Sequence, residues 1–347
     1  MRNQESLHLP ISSPDRESSS PPGQFRLGVM GTMVWDRIVD RDTRTVPVEE
    51  WGGISYALEA LSVSLPEPWI VRPFVKVGED MAERALGYLG TIPRTEAQPG
   101  PLIVPFPNPR VELRYHERER RTERLEGGVP PWSWDELQPL LDGTDALYLN
   151  FITGFEMGLE TAQRLRESFP GPIYADLHSL FLGISSLGLR FPRELPGWGA
   201  WFRAFDAVQM NEDEFALLGH AWGDPWRMAA DIVGPELKLI AVTLGGRGAA
   251  YVAAPDFSPD PAAWPDTRRT LGVTGASRSG RVPTPGEASE GDPTGCGDVW
   301  GATFFGRLLS GDTLEVAMAW ANRSAAKNVE HRGARGLHRH LLGLLGH

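Results

Sequence analysis

Short apolar runs alternate along the chain with segments in which apolar residues are spaced three and four positions apart. The runs are typical of buried strands, and they lie at 25–31, 69–78, 146–151, 172–177, 205–210 and 237–245. The wider spacing is typical of amphipathic helices and is found at 52–64, 155–169 and 212–220, and again after Gly295. Strands that alternate with helices form parallel β-α-β units. The pattern therefore predicts an α/β fold with a doubly wound, mostly parallel central sheet and helices on both faces.

Two segments interrupt this alternation. Residues 108–128 begin with the alternation of a half-exposed strand and continue into a dense run of charges. This segment is either a solvated hairpin or loop, or a lid strand, since edge segments of this kind often close over ligands. Residues 255–291 are rich in proline, glycine and serine and predict a surface loop.

Composition limits the class of protein. Residues 1–24 are rich in serine, proline and charge, which predicts a disordered tail, and the lack of any further linker predicts a single domain over 25–347. The formal net charge of −11 argues against a general nucleic-acid-binding protein. A single cysteine cannot form an internal disulfide, and the sequence shows neither a membrane-spanning apolar stretch nor a signal peptide. We therefore expect a cytoplasmic protein without a membrane or nucleic-acid partner.

The segment "TGCGDVWGATFFGRLL" places small residues just before a helix-like stretch near the carboxyl end. The backbone N–H groups of Gly295, Cys296 and Gly297 would then point unpaired into a cleft, which is the geometry of an anion site. Asp298 would lie in the first helical turn beside the anion, or it would simply cap the helix. At a helix amino end the Cys296 thiol is expected to favour the reactive thiolate, provided that solvent reaches it.

Other phosphate, metal and nucleophile motifs are weaker. No P-loop run GxxxxGK[ST] occurs, and the dinucleotide fingerprint GxGxxG would need glycine where Trp300 stands. The single cysteine has no CxxC partner, and the histidines show no HExxH spacing. A catalytic Cys296 would need a base such as His178 nearby, which the sequence does not establish.

The segment "DPTGCGD" at 292–298 resembles the D-T-x-G-A-G-D signature of the ribokinase-like carbohydrate kinases, also called the PfkB family. Further landmarks of that family follow one another in the expected order between Phe25 and Gly336. They are "GTMVWD" at 31–36, "WGG" at 51–53, "VGED" at 77–80, "MNEDE" at 210–214 and "VTLGGRG" at 242–248. The resemblance implies a ribokinase-like fold with a small β lid, built here from segments at about 36–50 and 108–126.

The resemblance also implies a reaction, the transfer of a phosphoryl group from ATP to a hydroxyl of a small sugar, polyol or nucleoside. Asp298 would be the general base, and the backbone N–H groups of Gly295–Asp298 would hold the developing charge. Asp36, Gly52 and Gly53 would bind the acceptor, although Asp36 would otherwise be an ordinary surface turn residue. Family lids often pair, so a homodimer is a further expectation.

On the donor side the resemblance implies a nucleotide site and Mg²⁺, with a monovalent cation as a further candidate cofactor. Thr243, Gly245 and Gly248 would line the nucleotide, with Asn211 beside its phosphates. Glu214 would organise Mg²⁺ together with Asn211, through water. Asn322 would lie near the adenine, or else would be a solvent-facing helix residue.

The chain departs from the family pattern at the acceptor side and within the signature. The family often has asparagine four residues after the second glycine, where this chain has Ala57. Cys296 replaces the signature alanine and Pro293 replaces the threonine, but the aspartate is kept as Asp298. The alternative function is a family-like protein that binds a ligand or partner without turnover. The identity of the acceptor does not follow from these motifs.

Overall fold

The computed structural model describes residues 23–40, 42, 44–116, 121–219, 223–268, 275–286 and 291–344. Its strands are β1 (Phe25–Met30), β2 (Met33–Val39), β3 (Val48–Gly53), β4 (Trp69–Phe74), β5 (Lys76–Gly78), β6 (Leu102–Val104), β7 (Arg110–Tyr115), β8 (Arg121–Glu126), β9 (Ala146–Asn150), β10 (Ile173–Asp176), β11 (Leu182–Ile184), β12 (Arg190–Pro192), β13 (Ala207–Asn211), β14 (Leu239–Thr243), β15 (Ala249–Ala253) and β16 (Arg278–Val282). Its helices are α1 (Ile54–Ser64), α2 (Ala82–Leu89), α3 (Trp134–Leu137), α4 (Leu159–Ser168), α5 (Trp198–Arg203), α6 (Glu212–Leu218), α7 (Pro225–Ile232), α8 (Trp264–Thr267), α9 (Cys296–Leu309), α10 (Leu314–Asn328) and α11 (Leu337–Leu341). Residues 1–22 of the predicted tail lie outside the described residues, as do 117–120 of the charge run and 269–274 and 287–290 of the predicted surface loop.

Within the described residues the central sheet has eight strands in the order β16-β15-β14-β13-β10-β9-β1-β4. The strands from β4 to β14 pair in parallel, and β15 and β16 are added in antiparallel orientation. The predicted mostly parallel sheet is therefore confirmed. All five residues of β9 are buried, as expected for a parallel strand that is covered on both faces.

Helices cover both faces of this sheet, and alternate strand residues point to opposite cores. Tyr148 and Tyr174 pack with α1, α9 and α10, whereas Leu147, Leu149 and Ile173 pack with α4 to α7. The doubly wound arrangement follows from this alternation, because each face of the sheet needs its own helical layer. No helix in the described ranges is long and apolar enough to cross a membrane.

A smaller second sheet has the strand order β3-β2-β7-β8. Its inner face carries an apolar cluster of Val34, Ile38, Val111, Leu113 and Leu125. The segment at 108–128 contributes the hairpin β7–β8 to this sheet, so the predicted strand is present. Successive residues of β7 and β8 point to opposite faces of this sheet, so exposed charged side chains such as Arg114 and Arg124 lie on its outer face.

Three segments differ from the pattern-based expectation. The stretch at 255–291 contains the edge strand β16 and the fully buried Trp264, so it is not merely a surface loop. The run at 69–78 divides into β4 and β5, and β5 pairs with β6 in a separate sheet. The helix expected at 155–169 begins only at Leu159, because the Glu156 carboxylate accepts N–H groups of Thr153 and Gly154 and holds a turn there.

Candidate active site

The candidate site lies where the carboxyl ends of the central parallel strands meet the start of α9. Asn150, Asp176 and Gln209 stand side by side in the register of β9, β10 and β13. We call these three residues the polar row. Polar side chains at the carboxyl ends of parallel strands are the usual lining of ligand sites in open α/β sheets. The inner face of the second sheet contributes the opposite wall, because Asp36 lies close enough to Asp298 for the Asp298 charge to help raise the pKa of Asp36.

Asp298 lies in the first turn of α9 and is joined to the polar row. Asn150 Nδ2 donates to Asp298 Oδ1 at 2.7 Å. Burial raises the pKa of Asp298 to about 6, although the Asn150 hydrogen bond and the charges of His178 and Arg121 oppose the rise. The cap residue of α9 is Gly295, with no side-chain cap, so Asp298 is not the helix cap. At neutral pH Asp298 is mostly a carboxylate that holds a proton more readily than an ordinary aspartate does.

The turn before α9 depends on glycine at position 295. Gly295 has φ 77°, and a Cβ atom there would lie 2.3 Å from Cγ of the buried Tyr56. The Cys296 N–H donates to Pro293 O at 3.2 Å, so the expectation that it points unpaired into the cleft is wrong. In the described part of the chain, no protein group accepts the N–H of Gly295 or Gly297. Two backbone donors are therefore available to an anion beside Asp298.

The Cys296 thiol forms hydrogen bonds with two residues of α10. Its Sγ donates to Ala325 O and accepts from Asn328 Nδ2, each at 3.4 Å. Burial raises the pKa of Cys296 to about 12, although the Asn328 hydrogen bond opposes the rise. The expected thiolate is therefore wrong, because burial outweighs the helix amino end. A catalytic Cys296 would need His178 as its base, but His178 pairs with Glu214 instead.

The Cys296→Ala variant is expected to keep most of its activity, since the backbone of α9 is unchanged and the thiol stays protonated. Iodoacetamide should label native Cys296 far more slowly at pH 8 than it labels a cysteine peptide, because the thiolate is the nucleophile. Mass spectrometry measures the labelling rate, and unfolding in denaturant should restore it. Complete loss of turnover in a folded Cys296→Ala protein would make the thiol a participant.

Asp36 and the paired glycines lie close together in strands β2 and β3 of the second sheet. Asp36 is 5% exposed and lies in a strand, so the surface-turn interpretation is wrong. Burial raises the pKa of Asp36 well above its ordinary value, and Arg121 opposes the rise. A Cβ atom at Gly52 would lie 1.7 Å from Asp36 Oδ2, so this carboxyl lies directly over Gly52. Gly53 has φ 57°, and a Cβ atom there would lie 2.5 Å from Thr32 O.

Asn211 and Glu214 form a capping box at the start of α6. Asn211 Oδ1 accepts the Glu214 N–H at 2.9 Å, and Glu214 Oε2 accepts the Asn211 N–H at 2.8 Å. Glu214 Oε1 accepts Asn211 Nδ2 at 2.6 Å and also pairs with His178 Nδ1. Burial lowers the pKa of His178, but the Glu214 carboxylate outweighs burial and the pKa rises to about 9. His178 is therefore an imidazolium at neutral pH, and it lies just beyond the carboxyl end of β10.

The residues of this corner do not fit direct ligation of Mg²⁺. Both Glu214 oxygens already accept hydrogen bonds from Asn211 and His178. Among the described residues, no group of three or more His, Cys, Asp or Glu side chains is placed to hold a metal ion. A magnesium ion usually keeps several waters and is held by substrate phosphates. Any contribution of Glu214 to metal binding would therefore pass through water.

The turn between β14 and β15 brings Thr243, Gly245 and Gly248 to the same edge of the sheet. Gly245 has φ 57° and Gly248 has φ 92°, and the Leu244 N–H donates to Gly248 O at 2.8 Å. A Cβ atom at Gly248 would lie 2.2 Å from Val282 O. The glycine at 248 therefore allows the end of β16 to pass directly over the turn.

Asn322 is 3% exposed, so its interpretation as a solvent-facing residue is wrong. Its Oδ1 accepts Trp300 Nε1 at 2.8 Å, and its Nδ2 donates to Val282 O at 3.0 Å and Pro283 O at 3.2 Å. The amide is therefore fully engaged with protein groups. Its place in the site is to hold residues 282–283 beside the 243–248 turn, rather than to offer a free amide to a base.

The polar row and Arg121 at the start of β8 are site features that the motifs did not identify. Gln209 Nε2 donates to Asp176 Oδ2 at 2.9 Å and to Gly297 O at 3.0 Å, which anchors the first turn of α9. Burial, followed by the Asp298 charge, raises the pKa of Asp176 to about 8. A polar residue second from the end of each of the runs 146–151, 172–177 and 205–210 was the available sequence signal for this row. Arg121 lies at the opposite wall and affects the pKa values of both Asp36 and Asp298.

The site thus combines the Asp36 and Asp298 carboxyl groups from opposite walls with the N–H groups of Gly295 and Gly297 and the nearby charges of Arg121 and His178. Asp298 is suited to accept a proton, and Asp36 is suited to pair with hydroxyl groups. The N–H groups of Gly295 and Gly297 are suited to an anionic oxygen at the positive end of α9. This set of groups fits the transfer of an anionic group to a hydroxyl.

No protein-family model matches the chain, and neither does any curated protein sequence. Solved structures do resemble it. A Burkholderia thailandensis nucleoside kinase in complex with inosine has a TM-score of 0.61 at 13% identity, over 89% of this chain and 92% of that one. A pyrophosphate-dependent kinase in the ribokinase family, complexed with a pyrophosphate analogue and myo-inositol, has a TM-score of 0.64 at 15% identity, over 92% and 99%. A ribokinase from Cryptococcus neoformans var. grubii in complex with ADP has a TM-score of 0.60 at 16% identity, over 92% and 98%. The predicted ribokinase-like fold is confirmed.

Proposed function

We propose that the chain is a kinase that transfers the γ-phosphoryl group of ATP to a hydroxyl of a small sugar, polyol or nucleoside. The observation that carries this proposal is the placement of Asp298. Its partly buried carboxylate accepts a hydrogen bond from Asn150 and lies beside the free N–H groups of Gly295 and Gly297. A base next to an anion site, at the carboxyl edge of the sheet, is the arrangement that phosphoryl transfer to an alcohol requires.

In the proposed reaction the acceptor lies between the two walls of the site. Asp36 binds acceptor hydroxyls, and Asp298 accepts the proton of the hydroxyl that reacts. The acceptor oxygen forms a bond to the γ-phosphorus, the bond from that phosphorus to the bridging oxygen breaks, and its electron pair stays on the terminal phosphate of ADP. The Gly295 and Gly297 N–H groups donate to the phosphoryl oxygens as the charge moves.

The donor side is supported by the 243–248 turn and by His178. Glycine at 245 and 248 lets the backbone approach a nucleotide closely. The His178 imidazolium, held by Glu214, faces the phosphates with a positive charge. Mg²⁺ bound with the nucleotide would neutralise charge on its phosphates. Because the ribokinase fold also includes a pyrophosphate-dependent kinase, pyrophosphate is the rival donor to exclude.

The proposal is tested with purified full-length protein, Mg²⁺ and either ATP or pyrophosphate, against a panel of pentoses, hexoses, inositols and nucleosides. Formation of ADP that depends on one acceptor, with a new phosphate monoester in the ³¹P NMR spectrum, is the expected result. Transfer from pyrophosphate alone would replace ATP as the donor. Binding of acceptors without any transfer from either donor would support the alternative of a binding protein without turnover.

The Asp36→Ala variant is expected to weaken acceptor binding. Hydrogen bonds to a charged group contribute about 1.5–3 kcal/mol, so the acceptor Kd should rise by roughly 10- to 150-fold. Calorimetry with the best acceptor measures the change. Glu49→Ala is the matched control, since its side chain is 57% exposed on the outer face of β3. An unchanged acceptor Kd in a folded Asp36→Ala protein would place the acceptor elsewhere.

A further inference from the structure

The hairpin β7–β8 carries a cross-strand pair at its far end, on the inner face of the second sheet. Tyr115 and Arg121 are direct neighbours in the antiparallel register. Arg121 Nη1 donates to Tyr115 Oη at 2.9 Å, and the guanidinium also lies 5.7 Å from the centre of the Tyr115 ring. Glu123, on the same face, accepts Arg121 Nε at 2.8 Å. The guanidinium is thus held from two sides in one orientation.

A chain of hydrogen bonds joins this pair to the start of α9. Tyr115 Oη and Thr294 Oγ1 are 2.9 Å apart, and Thr294 Oγ1 donates to Asp292 Oδ1 at 2.6 Å. Because the Thr294 hydroxyl donates its hydrogen to Asp292, the Tyr115 hydroxyl is the donor in the bond to Thr294. Thr294 directly precedes Gly295 in the sequence. The guanidinium therefore lies two hydrogen bonds from the turn that presents the backbone donors.

Arg121 keeps donors that no described protein group uses. Tyr115 takes one N–H of Nη1, while Glu123 takes Nε–H and faces Nη2 at 2.7 Å, so each terminal nitrogen retains a further N–H. The Arg121 charge also opposes the rise in the pKa of both Asp36 and Asp298, so the guanidinium lies near both carboxyl groups.

We propose that Arg121 is a further catalytic residue, which donates to the phosphoryl group during transfer from the side opposite Gly295 and Gly297. This inference rests on the proposed function. As the acceptor oxygen bonds to phosphorus and the bond to the ADP oxygen breaks, negative charge is spread over the phosphoryl oxygens. A planar guanidinium with two parallel donors matches those oxygens better than an ammonium group does. Tyr115 and Glu123 are positioning residues that hold the guanidinium towards the site.

The test compares Arg121→Gln with Arg124→Gln. Arg124 lies on the same strand but on the outer face, is 55% exposed and pairs only with Glu126 among the described residues. Loss of a charge-assisted hydrogen bond in the transition state should lower the single-turnover rate of Arg121→Gln by roughly 10- to 150-fold. The acceptor KM should change little, and Arg124→Gln should match the wild type. Thermal unfolding of each variant verifies that the fold is intact.

Tyr115→Phe gives a second measurement, since it keeps the ring and removes only the hydroxyl that links Arg121 to Thr294. Its single-turnover rate should fall by less than that of Arg121→Gln, again with little change in acceptor KM. A raised acceptor KM at an unchanged rate in Arg121→Gln would overturn the proposal and make Arg121 an acceptor-binding residue. A wild-type rate and KM would overturn it altogether.

A binding measurement separates failure of this inference from failure of the proposed function. If the wild-type protein transfers phosphate and Arg121→Gln does so equally well, only the role of Arg121 is wrong. If no acceptor is phosphorylated by the wild-type protein, the proposed function fails. In that case binding of inorganic phosphate, followed by ³¹P NMR, still tests the guanidinium. Weaker phosphate binding by Arg121→Gln than by Arg124→Gln supports an anion contact, and equal binding excludes it.

Discussion

Replacing Asp298 with asparagine is expected to lower kcat by roughly 10²- to 10⁴-fold, the range that a general base contributes. Asparagine keeps the size of the side chain but cannot accept the proton of the acceptor hydroxyl. ATP binding should stay near the wild-type value, since the backbone N–H groups of Gly295 and Gly297 are unchanged. Stopped-flow or coupled kinetics measure kcat, and calorimetry measures the nucleotide Kd.

The pH profile gives the same prediction a second readout. Burial raises the pKa of Asp298 to about 6, and the base must be ionised to work. The wild-type rate should therefore fall about ten-fold for each pH unit well below 6 and level off above it. The residual rate of Asp298→Asn should lose this acid limb. Asp135→Asn, at an exposed position in α3, is the matched control. A near-normal kcat in Asp298→Asn would remove the proposed mechanism.

Much of the central sheet was predictable because its strands are buried on both faces and read as continuous apolar runs. β9, β10, β13 and β14 all coincide with such runs. β16 was not predictable in this way, since its sequence "RSGRV" contains one apolar residue and it is held by backbone pairing to β15. The burial of Trp264 depends on rings distant in sequence, including Phe305 on α9.

The site was predictable where its chemistry is local in sequence. The glycine at 295 and the aspartate three residues later follow from the geometry of one turn. The polar row was not predictable, because the neighbours of Asp176 depend on the strand order β9-β10-β13. Arg121 was not predictable for a related reason. It lies in the charge run, and only the register of β7 with β8 decides which charged side chains of that run face inward. The hydrogen bonds of the Cys296 thiol likewise depend on α10, which lies about thirty residues further along the chain.

Gly295→Ala is expected to lower kcat by at least about 10²-fold, since removal of a single oxyanion donor costs roughly 10²- to 10³-fold. The new Cβ would lie 2.3 Å from Cγ of Tyr56, which is a fully buried residue of α1. The φ of 77° also disfavours any residue with a Cβ atom, by about 1–2 kcal/mol. The turn must therefore shift, and both backbone donors shift with it.

The control is Gly87→Ala, at an exposed position in α2 where an added Cβ meets nothing within 4 Å. Alanine is the better helix former, so this variant should be more stable than wild type by roughly 0.5–1 kcal/mol with unchanged kcat. Thermal unfolding separates the two effects of Gly295→Ala, because a folded protein with a low kcat has lost the donors rather than the fold. Inorganic phosphate binding should weaken in parallel. A folded Gly295→Ala protein with wild-type kcat and phosphate affinity would show that the anion lies away from the start of α9, and Asp298 would then have no reacting group beside it.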